Sequence, residues 1–158
     1  MTTTPIAALI DQYEAGAARL APLGRALTPA QLDTRIAPGT WSVREVIVHL
    51  LDSDLAATHR MRRIASEDLP LIIAYDETAF VRALDSARAD LSLVAELFSA
   101  NRRFCAAWLR TLPPQAFDRA SIHNQRGRVT LGQMVQGYID HLAHHETFIA
   151  DKRAALRV

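Results

Sequence analysis

Apolar residues in this chain return every three or four positions over stretches several helical turns long, a period that a β-strand cannot use and an amphipathic helix requires. The last stretch sets Met134, Tyr138, His141, His145 and Phe148 at spacings of four, three, four and three. An earlier one runs through Val43, Val46, Ile47 and Leu50 to Met61 and Ile64. A third carries Leu84, Ala87, Leu91, Val94, Phe98, Cys105, Trp108 and Leu112, and the first carries Ile6, Leu9, Ile10, Tyr13, Ala17 and Leu20. Each stripe must be covered by another element, and four long helices cover one another in a bundle. The fold class expected is therefore all-α, a four-helix bundle.

The ends of these segments carry their own chemistry. Thr4-Pro5 reads as a cap with proline at the first helical position, and the first helix is expected to end near Gly24. Ser42-Val-Arg-Glu45 and Thr130-Leu-Gly-Gln133 have the spacing of capping boxes, in which hydroxyl and carboxylate or amide exchange bonds with free backbone N–H groups. Trp41 and Val46 are placed to close a hydrophobic staple. Asp68-Leu-Pro70 breaks the chain between the second and third helices, and Pro113-Pro114 ends the third. Between Ser121 and Val129 the pattern is short and β-like around Asn124-Gln-Arg-Gly127, which fits a small hairpin or an irregular loop before the last helix. The connections are long enough to permit a helix order other than up-down-up-down, and periodicity does not choose one.

The length of 158 residues suits a single domain, 1–158, and 49% hydrophobic with 22% charged residues suits a compact chain. Eighteen basic against 17 acidic residues leave +1, too little for the basic field that nucleic acid requires. No run approaches the roughly 18 apolar residues of a membrane span. The N-terminus lacks a signal-peptide pattern, so a cytoplasmic location is expected. Cys105 is the single cysteine, which excludes an intrachain disulfide and cysteine-based zinc motifs. Any metal ligands must be nitrogen or oxygen.

Those ligands are sought among six histidines. Four residues of helix turn by only about 40°, so His141 and His145 share a face, and it is the apolar one. His144 lies to one side. His49 sits between Val46 and Leu50, at the edge of the inward stripe of the second helix. An unpartnered imidazole in a core costs on the order of 1–3 kcal/mol. Either a shared metal ion or separate hydrogen bonds to carbonyls and carboxylates would relieve that cost, and spacing alone leaves both open. Asp52, one turn after His49, either orients a ligand or belongs to a polar helix face. Cys105 reads as a small core residue, with a redox role as the alternative. Arg60, Tyr75, Asp76 and His123 read as solvated surface, with substrate contact as the alternative; His59, His144 and Glu146 read as exposed helix positions.

The string Trp41-Ser-Val-Arg-Glu-Val-Ile-Val-His-Leu-Leu-Asp-Ser53, followed by Arg60, Tyr75-Asp-Glu77, Val129-Thr-Leu and His141-Leu-Ala-His-His145, resembles the DinB/YfiT-like superfamily. The resemblance covers most of the chain. It implies a four-helix bundle, often a homodimer, with a divalent metal at the mouth of an interhelical cleft. By position the implied ligands are His49, His141 and His145, with His144 excluded. Three neutral ligands leave an open position where a water or thiol is acidified, and a thiolate suits zinc or nickel, with iron or manganese also compatible. Relatives of this kind include transferases using low-molecular-weight thiols such as bacillithiol or mycothiol. The activity expected is thus metal-dependent S-transfer between a small-molecule thiol and an electrophile. The alternatives are a metal-dependent hydrolase and a non-catalytic metal- or ligand-binding bundle.

Overall fold

The computed structural model describes residues 5–158. Helix α1 (Ile6–Ala15) begins behind Pro5, which holds the N-cap position without a side-chain bond; Thr4 lies outside the described residues. The helix stops short of the Gly24 expected from periodicity. At Gly16–Ala18 it tightens into a 3-10 turn, where the Tyr13 carbonyl accepts from a backbone N–H and also from Arg102 Nη1 at 3.4 Å. A short α2 (Pro29–Asp33), capped by Thr28 and Gln31, precedes the first long helix.

Helix α3 (Val43–Ser66) opens with the predicted capping box: Ser42 Oγ accepts from the Glu45 N–H, and the Glu45 carboxylate accepts from the Ser42 N–H at 2.7 Å. Strand β1 (Leu71–Ile72) and α4 (Glu77–Ala83) follow, neither announced by any period. Helix α5 (Leu91–Leu109) starts later than its stripe suggests. Leu84 is exposed, Asp85 is left-handed at φ 48°, and the Asp90 side chain caps the helix by accepting from the Ser92 and Leu93 N–H groups. The apolar spacing of Leu84 and Ala87 thus belongs to the turn after α4. Strands β2 (Ala120–His123) and β3 (Gly127–Thr130) form the hairpin, and α6 (Leu131–Leu156) opens with the Thr130–Gln133 box.

The hairpin gains a third strand from far away in sequence. β1 pairs parallel to β2, Leu71 opposite Ile122 and Ile72 opposite His123, and Asn124 Oδ1 accepts from the Ala74 N–H at 2.9 Å. This pairing fixes the path of residues 73–77 across the helices. Two apolar clusters fill the bundle, one around Tyr13, Met61, Ile64, Leu109 and Met134, the other around Leu20, Ile47, Leu50, Phe98 and Leu142. Arg102 joins them, its guanidinium 4.7 Å from the Tyr13 ring centroid and 4.8 Å from that of Phe98. It makes a two-pronged pair with Asp54 at 2.9 and 2.8 Å and donates to the Tyr138 carbonyl at 2.9 Å. Both charged side chains are buried, which is tolerable because every prong of the fork finds an acceptor. Among the described residues no helix is long and apolar enough to cross a membrane.

Candidate metal centre

Helices α3 and α6 pack against each other, and His49 from one meets His141 and His145 from the other. His141 Nε2 lies 3.3 Å from His49 Nε2 and 3.1 Å from His145 Nε2, and one ligand atom from each of the three falls within 4.8 Å of the others. The rings meet edge-on, with interplanar angles of 70° for His49 and His141 and 78° for His141 and His145. Trp41 tilts over His49 at 4.9 Å between centroids. These contacts leave the ring nitrogens, rather than the ring faces, pointing at a shared space.

Burial, with mutual repulsion added, pushes the imidazole pKa values down to about 4 for His49, about 3 for His141 and about 4 for His145. All three are therefore neutral at pH 7, the state a metal ligand needs. Neutral imidazoles cannot satisfy both contacts fully, since a ring nitrogen offers either one proton or one lone pair while His141 Nε2 has two nitrogen neighbours. A cation resolves the crowding. Tetrahedral zinc with bonds of about 2.0–2.1 Å holds its nitrogens about 3.3 Å apart, close to the two spacings observed here. The donor set and its geometry fit a divalent metal. His145 Nδ1 is buried without a hydrogen-bond partner among the described residues, so no carboxylate or carbonyl orients that ring from behind.

Two clefts of opposite character reach this point. One, of about 660 Å³, is lined on the His141 side by Ser53, Arg60, Tyr75, Glu77, His123 and Arg126. Arg60 donates to the Tyr138 hydroxyl at 2.9 Å and to the Ile73 carbonyl at 3.1 Å, which holds its guanidinium at the wall. Burial together with Arg60 and Arg126 lowers the pKa of His123. The other cleft, of about 520 Å³, is lined on the His145 side by Ile36, Trp41, Val46, Phe148 and Lys152. Thr78 borders both.

The three histidines named from sequence thus come together, and His144 stands apart, exposed. Cys105 is buried in the core with its thiol pKa pushed up to about 11 by burial, remote from nucleophilic chemistry. Asp52 makes no hydrogen bond to His49; burial raises its pKa. Glu146 pairs with Arg19, which lies in the turn after Ala18. Arg60, Tyr75, Asp76 and His123, read from sequence as surface, line one cleft together. Glu77, quoted in sequence only within the Tyr75-Asp-Glu77 string and given no role there, has its Oε2 3.9 Å from His49 Nε2 and a carboxyl pKa raised by desolvation. Sequence reasoning gave Arg126 and Lys152 no role either. Glu77 is delivered by the β1–β2 pairing, which leaves no local pattern to read.

Residues 12–149 match the family described as the DinB superfamily. A protein of Bacillus subtilis (strain 168) named "Putative metal-dependent hydrolase YfiT" is 34% identical over 143 residues, spanning 90% of this chain and 80% of its own. A "Putative metal-dependent hydrolase" of Bacillus pumilus (strain SAFR-032) is 32% identical over 147 residues, spanning 92% and 79%. The solved structure described as "YfiT from Bacillus subtilis is a probable metal-dependent hydrolase with an unusual four-helix bundle topology" superposes with a TM-score of 0.90 at 30% identity, over 99% of this chain and 90% of that one. Fold, family match and relatives agree, and this chain belongs to the DinB superfamily.

Proposed function

We propose that His49, His141 and His145 hold one divalent metal through their Nε2 atoms, and that the protein joins a low-molecular-weight thiol, through its sulfur, to an apolar electrophile. The observation that carries this reading is the pair of unlike clefts meeting at one centre. A hydrolase needs a pocket for one organic substrate, with water as the other reactant, whereas group transfer needs two. The polar cleft suits a hydrophilic thiol cosubstrate, its hydroxyl, amide or acid groups met by Arg60, Arg126, His123 and Tyr75. The apolar cleft suits the electrophile.

A bound zinc or nickel ion supplies Lewis acidity and lowers the pKa of a sulfur or oxygen presented to it. The chain's own residues do the rest. Glu77 Oε2 stands beside the histidine nitrogens and takes the proton of the incoming thiol, a task favoured by its raised carboxyl pKa. The sulfur then forms its bond to the electrophilic carbon as the leaving group departs with the bonding pair. Cys105 takes no part, so the sulfur comes from the cosubstrate.

Hydrolysis is a second reading, favoured by the names of the relatives and by Glu77, which would take a proton from water as readily as from a thiol. One experiment separates the two. Untagged protein is purified without chelator, its metal measured by elemental analysis, and monochlorobimane conjugation followed with cysteine, bacillithiol or mycothiol, beside ester hydrolysis without thiol. About one metal per chain, lost in His141→Ala and kept in His144→Ala, with metal-dependent conjugation, supports S-transfer. Ester cleavage that thiol does not accelerate supports hydrolysis. Protein that cannot be loaded with any of zinc, nickel, iron or manganese overturns both.

A further inference from the structure

Lys152 is the only lysine in the chain, and it is placed where a lysine is least at ease. Lysine usually lays its methylenes on apolar surface and extends its ammonium into water. Here the residue is 6% exposed, on the wall of the apolar cleft with Trp41, Val46 and Phe148. Among the described residues its ammonium has no hydrogen bond and no ion pair. Glu45 attracts the ammonium without pairing with it. Its oxygens are committed elsewhere, to Arg35 at 3.1 and 2.5 Å and to the Ser42 N–H at 2.7 Å. Asp151 borders the same cleft without pairing with Lys152.

The ammonium keeps solvent contact only through the cleft, and a cation confined to a largely apolar wall without a partner stabilises the fold less than a leucine or methionine that filled the same space. The cleft also abuts the first turn of α3, through Trp41 and Val46, and the N-terminal end of a long helix favours negative charge. Lys152 lies seven residues beyond His145 on α6, so at about 1.5 Å per residue the two are about 10 Å apart along the helix.

We propose that Lys152 is the anion-binding residue of the apolar cleft, and that the substrate taken there is an apolar chain ending in a carboxylate. The ammonium holds the carboxylate at the far end of the cleft while Trp41, Val46, Ile36 and Phe148 cover the chain, so that the opposite end of the molecule lies toward the three histidines. The assignment of that cleft to a substrate rests on the function proposed above, but the binding it predicts does not require a metal or a thiol.

The test is calorimetric titration of the protein, as purified and after chelator treatment, with octanoate and with octanamide as its uncharged counterpart. Fluorescence in a Trp108→Phe background, where Trp41 is the remaining tryptophan, reports whether the ligand enters this cleft. Octanoate is expected to bind about ten- to a hundredfold more tightly than octanamide, the ratio of a charge-assisted bond to a neutral contact. Lys152→Met should abolish that preference and melt at or above the wild-type temperature, and Lys152→Arg should retain it. Equal affinity for acid and amide, or a preference that survives in Lys152→Met, overturns the proposal. So does octanoate binding that disappears with the chelator, since the carboxylate would then be held at the histidines. If the acid preference holds in protein that takes up no metal, the Lys152 subsite stands and the metal-dependent reading falls.

Discussion

Replacing Arg102 by methionine removes a side chain that touches three helices at once. Its loss leaves Asp54, 1% exposed, without the two bonds at 2.9 and 2.8 Å, and strips a donor from the carbonyls of Tyr13 and Tyr138. Breaking a buried ion pair by deleting one partner costs about 3–5 kcal/mol. For a chain of this size each kcal/mol lowers the melting temperature by about 2–4 °C, so the fall expected is roughly 6–20 °C. The consequence extends to the histidines. Asp54 follows His49 by five residues on α3, and Tyr138 precedes His141 by three on α6, so Arg102 braces the two helices that must present their nitrogens together. Urea unfolding gives the stability change and zinc titration gives the affinity, and both should weaken in Arg102→Met. Adding Asp54→Leu removes the stranded carboxylate and should recover part of the loss, since an apolar pair of similar volume is tolerated. The pH dependence has a defined sign. Burial raises the Asp54 pKa and Arg102 opposes it, so without Arg102 the folded-state pKa rises further above the unfolded value. The variant's deficit should then shrink as the pH falls from 7 toward 5. An Arg102→Met protein within about 1 kcal/mol of wild type, with unchanged zinc affinity, would falsify this account of the brace.

The metal-free protein should lose stability as the pH drops from about 6.5 toward 4. The folded pKa values of about 4, 3 and 4 lie below the ordinary 6.5, so the unfolded chain takes up protons first; a urea midpoint that is flat or rises across that window would contradict it. Gly16→Ala should destabilise by about 1–3 kcal/mol in thermal or urea melts. Its Cβ would fall 2.2 Å from Arg102 Nη1, a group held in place by its other bonds, and a neutral effect would mean that the fork can shift. Cys105 should react with Ellman's reagent only once the protein is unfolded, being buried with a thiol pKa of about 11; rapid labelling of the native protein would place it at a mobile surface instead.

Much of this molecule is written in local sequence. Helices α3 and α6 begin where Ser42–Glu45 and Thr130–Gln133 place them, because a capping box satisfies N–H groups within four residues and needs no tertiary partner. The inward pairing of His141 with His145, and the exclusion of His144, follow from the helical period alone. The hairpin was visible as a turn between two short β-like runs. Local spacing misled where a long-range contact overruled it. The first helix changes to a 3-10 turn at Gly16, against which an arginine 86 positions along is packed, and the stripe at Leu84 and Ala87 is separated from α5 by the left-handed Asp85.

The rest was decided by tertiary structure. Whether His49 reaches the other two histidines depends on how α3 packs against α6, a matter of crossing geometry that no spacing within one helix encodes. Arg60, Tyr75 and His123 read as surface in sequence because each is polar and flanked by loops or helix ends. The parallel pairing of β1 with β2, about fifty residues apart, closes them into one cleft and carries Glu77 to the histidines. Lys152 stands out in sequence only as the single lysine, and Arg102 not at all, since burial is a property of what lies across from a side chain. Local pattern determined the starts of α3 and α6 and the face on which His141 and His145 sit; only the packing of those faces determined which charges are shielded from water.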